Sequence, residues 1–194
     1  MIPLEYEKIA SMIKENVSVL DLGCGRGDLL EYLTSTKHIN GQGIEIKEEA
    51  VFACIEKGLT VFHSDIEKGL DAYPSNSFDY VLMYNSIQEI KNVDTIIKEC
   101  FRIGKTLIVG FPNFAQISSR KSLLMGYTPI TKHLPFTWFN SPNIRFFTIR
   151  DFENYARSRG LVIEWSFFFS AKKEIKFLPN LFAYTAIFAI SKPQ

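Results

Sequence analysis

Val17-Ser18-Val19-Leu20-Asp21-Leu22-Gly23-Cys24-Gly25-Arg26-Gly27-Asp28 joins an apolar run to an acid, three alternate glycines and the start of a helical pattern. Glycine at a strand-to-helix turn reaches positive φ and lets backbone N–H groups approach a ligand closely, while the following helix N-terminus favours a carboxylate or phosphate. The stretch therefore reads as a nucleotide site, and the glycine spacing selects the nucleotide. A dinucleotide fingerprint requires G-x-G-x-x-G, but counted from Gly23 and Gly25 its third glycine falls on Asp28, so NAD fits poorly. Asp21 followed by Gly23, Gly25 and Gly27 spells D-x-G-x-G-x-G instead. An ordinary glycine-bearing turn of an α/β protein is the plain alternative, and the elements that follow weigh against it.

D-x-G-x-G-x-G resembles the first motif of class I S-adenosylmethionine-dependent methyltransferases, and three further elements arrive in the order such a protein needs. Gly41 to Ile46 reads as a second strand ending in an acid, Glu45, placed 24 residues after Asp21 to accept hydrogen bonds from ribose hydroxyls. Thr60 to Asp65 is a third β-rich run ending in an acid; in the pattern it resembles, Asp65 lies by the adenine amino group. Ser77 to Asn85 is a fourth strand after a Pro-Ser-Asn-Ser turn, its end bordering the cofactor's methionine portion. The resemblance implies S-adenosyl-L-methionine or S-adenosylhomocysteine as cofactor. It would be held by Asp21, Gly23, Cys24, Gly25, Gly27, Glu45, Ile46, Asp65, Ile66, Tyr84 and Asn85.

Composition narrows the class. A chain of 194 residues can bury one proper core and is short for two ordinary domains. With 22 basic and 21 acidic residues the formal charge is +1, so no overall electrostatic case exists for nucleic acid or an acidic membrane. Cys24, Cys54 and Cys100 are widely separated and not in C-x-x-C spacing, which argues against a disulfide scaffold or a zinc site and suits a reducing cytoplasm. His38 and His63 have no second His or Cys at ligand spacing, so no metal is expected. No signal-peptide pattern opens the chain, and the longest late apolar run, Phe177 to Ile190, contains Pro179, Asn180 and Thr185, so no membrane span is expected.

Strand and helix patterns alternate, which predicts an α/β fold: a Rossmann-like, doubly wound, seven-stranded, mostly parallel sheet with an antiparallel edge strand, in a single domain. Helices are expected over Tyr6 to Lys14, Asp28 to Leu33, Glu48 to Lys57 and Asp94 to Arg102, with a fifth strand over Thr106 to Phe111. Thr148 with Asp151 opens a helix from Arg150 to Arg157 that Gly160 ends. Leu161 to Phe169 and Leu181 to Ser191 read as two antiparallel strands joined by a short polar link around Ala171 to Lys176. That terminal pair belongs to the methyltransferase arrangement and is uncommon in flavodoxin-like or dehydrogenase sheets.

An insertion at about 112–147 separates the fifth strand from the next helix. From Pro112 to Arg150 it carries Arg120, Lys121, Lys132, Arg145 and Arg150 without one Asp or Glu, and it is rich in Phe, Tyr, Trp and Leu. A long connection of this composition is functional rather than disordered. It is expected to fold over the carboxyl ends of the strands as a wall or lid that favours an anion. Equally, its aromatics could be its own core and its cations a solvated face. His133 and Arg145 are the candidate catalytic residues, although a single histidine beside Pro135 and Trp138 is more often a packing residue.

The insertion also carries a second resemblance, in Gly110-Phe111-Pro112-Asn113-Phe114, Gly126-Tyr127-Thr128-Pro129-Ile130-Thr131-Lys132, Leu134-Pro135-Phe136-Thr137-Trp138-Phe139 and Thr148-Ile149-Arg150-Asp151-Phe152-Glu153. With Val19 to Asp28, Ser77 to Val81, Gln88, Asn143-Ile144 and Leu178 to Leu181, these segments resemble the bacterial methionine biosynthesis protein MetW family nearly end to end. The chain departs from it at Ala115-Gln116-Ile117, where Gly-His-Trp is common, and at Arg145, where His is common. The resemblance implies a protein of methionine biosynthesis that acts with homoserine O-acyltransferase. Two functions stay open beside a cofactor-free scaffold: a binding module that senses S-adenosylmethionine, and an active methyltransferase on a small anionic acceptor steered by Arg120, Lys132 or Arg145. Methyl transfer needs positioning and exclusion of water rather than a diagnostic base. The Asn/Asp-Pro-Pro-Tyr/Phe signature of amino methyltransferases is absent from the fourth strand's end, Tyr84-Asn85-Ser86-Ile87, which argues against methylation of DNA amines.

Overall fold

The computed structural model describes residues 2–171 and 173–193. The glycine turn sits where the sequence places it, between β1 (Ser18–Leu22) and α2 (Asp28–Lys37). β2 (Asn40–Glu45), β3 (Thr60–His63), β4 (Phe78–Tyr84) and β5 (Gly104–Pro112) follow, joined by α3 (Glu48–Glu56), α4 (Ile66–Gly69) and α5 (Val93–Ile103). The chain continues through α6 (Ile117–Leu124), α7 (Ile149–Ser158), β6 (Val162–Ser170), β7 (Lys173–Glu174), α8 (Pro179–Phe182) and β8 (Thr185–Ser191), and α1 (Leu4–Met12) precedes them all.

One sheet runs in the order β3-β2-β1-β4-β5-β8-β6-β7. β1 to β5 pair in parallel, whereas β8 is antiparallel to both β5 and β6. Parallel strands are buried on both faces, so their side chains feed two cores. On one face Val81, Met83, Leu107, Val109 and Phe188 meet Ile96, Ile97 and Cys100 of α5 and Phe152 of α7. On the other Val19, Leu82, Ile108 and Ile187 meet Ile9 and Ile13 from the α1 segment and Leu29, Leu30 and Leu33 of α2. Phe111 anchors the first core, with ring centroids 5.1 Å from Phe152 and 5.9 Å from Phe188. Burial of each such ring contributes about 2–3 kcal/mol.

Three expectations need correction. The sheet has eight strands rather than seven, because Lys173–Glu174 in the expected polar link turns back to pair with Phe169 and Ser170; Lys172 of that link lies outside the described residues. Leu181 and Phe182 are helical rather than extended: Pro179 sits at the first turn of α8, where its fixed φ suits a helix. Pro112 completes β5, so the insertion proper begins at Asn113. The helix opened by Thr148 does carry a reciprocal capping box, Thr148 Oγ1 accepting from the Asp151 N–H at 3.2 Å and Asp151 Oδ2 from the Thr148 N–H at 2.9 Å.

Candidate ligand cavity at the glycine turn

The carboxyl ends of β1, β2 and β4 surround a cavity of about 440 Å³. Asp21, Gly23, Cys24, Gly25, Glu45, Ile46, Asp65, Ile66, Tyr84 and Asn85 all line it. Gly27, the remaining residue of the expected set, lies behind it: a Cβ there would come within 2.5 Å of Leu59 Cδ1 and 2.8 Å of Cys54 Sγ. Its φ of +75° starts α2, so its role is the turn rather than the lining.

Gly25 is the opposite case. Its φ is +55°, and a Cβ built on it meets nothing within 4 Å, so the turn leaves open space on the cavity side. The turn is held from below by Ile44, whose carbonyl accepts from the Gly23 N–H at 2.8 Å. Glu45 holds it from the side. Its Oε2 accepts from the Gly25 N–H at 2.8 Å, and its Oε1 accepts from the N–H groups of Ile46 at 2.9 Å and Lys47 at 2.8 Å. A carboxylate has about four acceptor positions, so three backbone bonds leave capacity for one more donor. Asp65 likewise spends Oδ1 on the Glu67 N–H at 2.9 Å as the cap of α4.

Asp21 differs from both. It is 2% exposed, and its Oδ1 has no hydrogen-bond partner. Burial, and then the neighbouring Glu45 carboxylate, push its pKa up to about 7. An unpartnered buried carboxylate oxygen facing a cavity is costly unless a donor arrives. The surrounding charge has the same sign: Asp28, Glu45, Asp65, Glu67 and Glu89 also line the space, against Arg26 and Lys47. The cavity thus favours a cation. Cys24 is no nucleophile here, since burial and Asp21 push its thiol well above the usual range.

Several lining residues escaped sequence reasoning. Tyr6 reaches the cavity from α1, packing edge-on against Tyr84 with centroids 5.9 Å apart, and burial lifts its pKa to about 12. Ser86 donates to the Leu22 carbonyl at 2.6 Å, pinning the loop after β4 to the end of β1. Neither carries a local signal, since both depend on how distant elements pack. Asn85 adopts φ +59° and donates its N–H to Gly110 at 2.8 Å, a conformation Asn tolerates.

The candidate catalytic residues stand elsewhere. His133 is half-buried beside Thr185, with Nδ1 3.3 Å from its Oγ1, and is stacked on Tyr184 at 5.3 Å; desolvation lowers its pKa. Arg145 donates Nε to the Ile90 carbonyl at 2.9 Å and Nη2 to that of Lys91. Arg120 donates Nε to the Ala115 carbonyl at 2.6 Å. None of the insertion's residues is among those lining the cavity, so the expected lid of cations is not what the segment forms. Among the described residues no group of three or more His, Cys, Asp or Glu is arranged to hold a metal.

The family model of the methionine biosynthesis protein MetW matches residues 4–190. The chain belongs to the MetW family. It is 32% identical, over 97% of its length, to the bifunctional methionine biosynthesis protein MetXA/MetW of Rhodopirellula baltica, of which it covers 33%; it spans about a third of the length of the curated relatives it matches. Among solved structures it resembles a SAM-dependent methyltransferase from Archaeoglobus fulgidus (TM-score 0.69, 17% identity, 96% of this chain and 94% of that one). It also resembles TrmK of M. capricolum in complex with S-adenosyl-homocysteine (TM-score 0.60, 13% identity, 100% and 70%). The chain therefore has the α/β methyltransferase fold, and no helix among the described residues is long and apolar enough to cross a membrane.

Proposed function

We propose that this MetW-family chain binds S-adenosylmethionine in the cavity at the glycine turn and uses its occupancy to tune a homoserine O-acyltransferase partner. The observation that carries the cofactor reading is Asp21 Oδ1, buried and unpartnered in an acidic cavity. An α-ammonium group supplies the missing donor and, with a sulfonium, the positive charge the cavity favours. Glu45 has acceptor capacity left for a ribose hydroxyl. Asp65 and the side chains of Ile46 and Ile66 form the end suited to an adenine, and Tyr84 and Asn85 border the methionine end. The open space over Gly25 admits the ligand against the backbone.

The partner reading draws support from the MetXA/MetW relative, in which both names describe one chain. A route for occupancy to matter lies in the loop after β4. Asn85, Ser86, Glu89 and Ile90 face the cavity, while the Gln88 carbonyl accepts from the N–H groups of Ile144 at 3.0 Å and Arg145 at 3.1 Å in the insertion. A ligand shifts a partner equilibrium only by its differential affinity for the two states. The test is acyltransferase activity with and without this chain across S-adenosylmethionine concentrations. A ligand-dependent change supports the sensor, and activity indifferent to both removes it. Methylation of a small anionic acceptor is the weaker reading, because Arg120, Lys132 and Arg145 do not line the cavity.

A further inference from the structure

The insertion turns its largest apolar side chains outward. Leu124 is 89% exposed, Trp138 80%, Phe139 71% and Tyr127 68%, although composition alone allows them to be a buried core. Folded chains rarely expose so many large apolar groups in one segment unless something covers them. The segment is nevertheless built, not loose. Thr131 and Leu134 exchange backbone hydrogen bonds of 2.9 and 3.1 Å, and Asn140 Oδ1 accepts from the N–H and Oγ1 of Thr137 at 2.9 and 2.8 Å. At its start Asn113 Nδ2 donates to the carbonyls of Asn180 at 3.1 Å and Ala183 at 3.0 Å. Thr128, Trp138 and Phe146 line one small hollow, so the chain directly after Tyr127 meets the Trp138 turn.

Resting on the partnership proposed above, we infer that this crest, Leu124 to Tyr127 with Trp138 and Phe139, is the surface on which the acyltransferase docks. Three observations choose that occupant. The relative that joins MetXA to MetW leaves two-thirds of its length beyond the region this chain covers, and joining two modules makes their contact intramolecular at high effective concentration. Lys121, Lys132 and Arg150 are exposed with no acid between positions 112 and 150, so the complement of this segment is an apolar centre with acids around it. The segment also carries exposed aromatic anchors, Tyr127, Trp138 and Phe139, of the kind that dominate binding energy.

The experiment is calorimetric and size-exclusion binding of this chain to the homoserine O-acyltransferase encoded by the same genome, with the wild type, Leu124→Glu/Trp138→Ser and Lys121→Glu/Lys132→Glu. The apolar pair is expected to weaken association at least 30-fold and the charge pair about 5- to 10-fold, the latter more at low salt. Both variants keep wild-type affinity for S-adenosylmethionine and a melting temperature within about 2 °C, because the altered side chains are exposed. Wild-type association that survives both changes overturns the crest while leaving the partnership intact. No association of the wild type, with or without S-adenosylmethionine, overturns both. Loss of self-association, or of binding to phosphatidylglycerol vesicles, with acyltransferase binding unchanged assigns the crest to another occupant and overturns the proposal.

Discussion

The glycine turn and the insertion are built on opposite plans. At the turn, short-range geometry is fixed by backbone groups: Glu45 accepts three N–H bonds, Ile44 accepts another from Gly23, and the space left over is acidic and inward-facing. In the insertion, hydrogen bonds fix turns and feet, but Leu124, Tyr127, Trp138 and Phe139 are left outside. The contrast teaches that one fold can keep an acidic cavity that needs few residues apart from an exposed apolar surface, the one proposed above for a macromolecular partner. Open α/β sheets bind ligands outside the carboxyl ends of their strands; nothing confines an insertion after the fifth strand to the same task.

The sharpest way to break this contrast is at the glycines. Gly25→Val places its side chain in the open space on the cavity side and is expected to abolish S-adenosylmethionine binding, by more than 100-fold in calorimetry. The strain of a β-branched residue at φ +55°, on the order of 1–2 kcal/mol, lowers Tm by only about 5 °C. Gly27→Val meets Leu59 and Cys54 and is expected to fail in folding instead. If both behave alike, the distinction between lining and turn glycine is wrong.

Asp21 gives the next largest effect. Its folded pKa of about 7 lies above the unfolded carboxyl value, so the ligand-free protein loses stability as pH rises from about 4 to 7. A cationic ligand favours the ionised form, so its affinity rises over the upper part of that window. Binding is expected to be roughly tenfold weaker at pH 5.5 than at pH 7, with a proton released on binding below pH 7, measured by calorimetry in buffers of different ionisation enthalpy. Asp21→Asn flattens this dependence, weakens binding and stabilises the free protein at pH 8 by on the order of 4 kcal/mol. A pH-independent wild type contradicts the assignment.

Glu45→Ala comes third. It removes both the proposed ribose acceptor and the staple across the turn, so affinity is expected to fall by roughly 1.5–3 kcal/mol and stability by a similar amount. Loss of stability without loss of affinity would make Glu45 purely structural. The smallest effect belongs to the insertion's foot. Arg145→Ala leaves the Ile90 and Lys91 carbonyls to water and costs about 1 kcal/mol, seen as a 2–4 °C drop in Tm with binding nearly unchanged.

How much of this could be read from residues alone follows the same division. Asp21, Glu45 and the glycines were legible because strand, acid and turn are contiguous in sequence, and ten of eleven expected cofactor residues line one cavity. Tyr6 and Ser86 were not, because their places depend on α1 packing on α2 and on a loop crossing to β1. The antiparallel terminal strands were legible in their aromatic and β-branched content, whereas the two-residue β7 is too short for any periodicity. Pro179 at the first turn of α8 is too little to mark a four-residue helix beside the aromatic and β-branched run that reads as a strand from Leu181 to Ser191. The insertion's composition was plain and its orientation was not: the same aromatics make a core or a crest, and only tertiary structure turns Trp138 outward.

The glycine-turn cavity is proposed as a site for S-adenosylmethionine and not for a dinucleotide. Calorimetric titration of the purified chain with S-adenosylmethionine and, separately, with NAD tests it most directly. The account predicts micromolar binding of the first and none of the second; binding of NAD, or of neither, contradicts it.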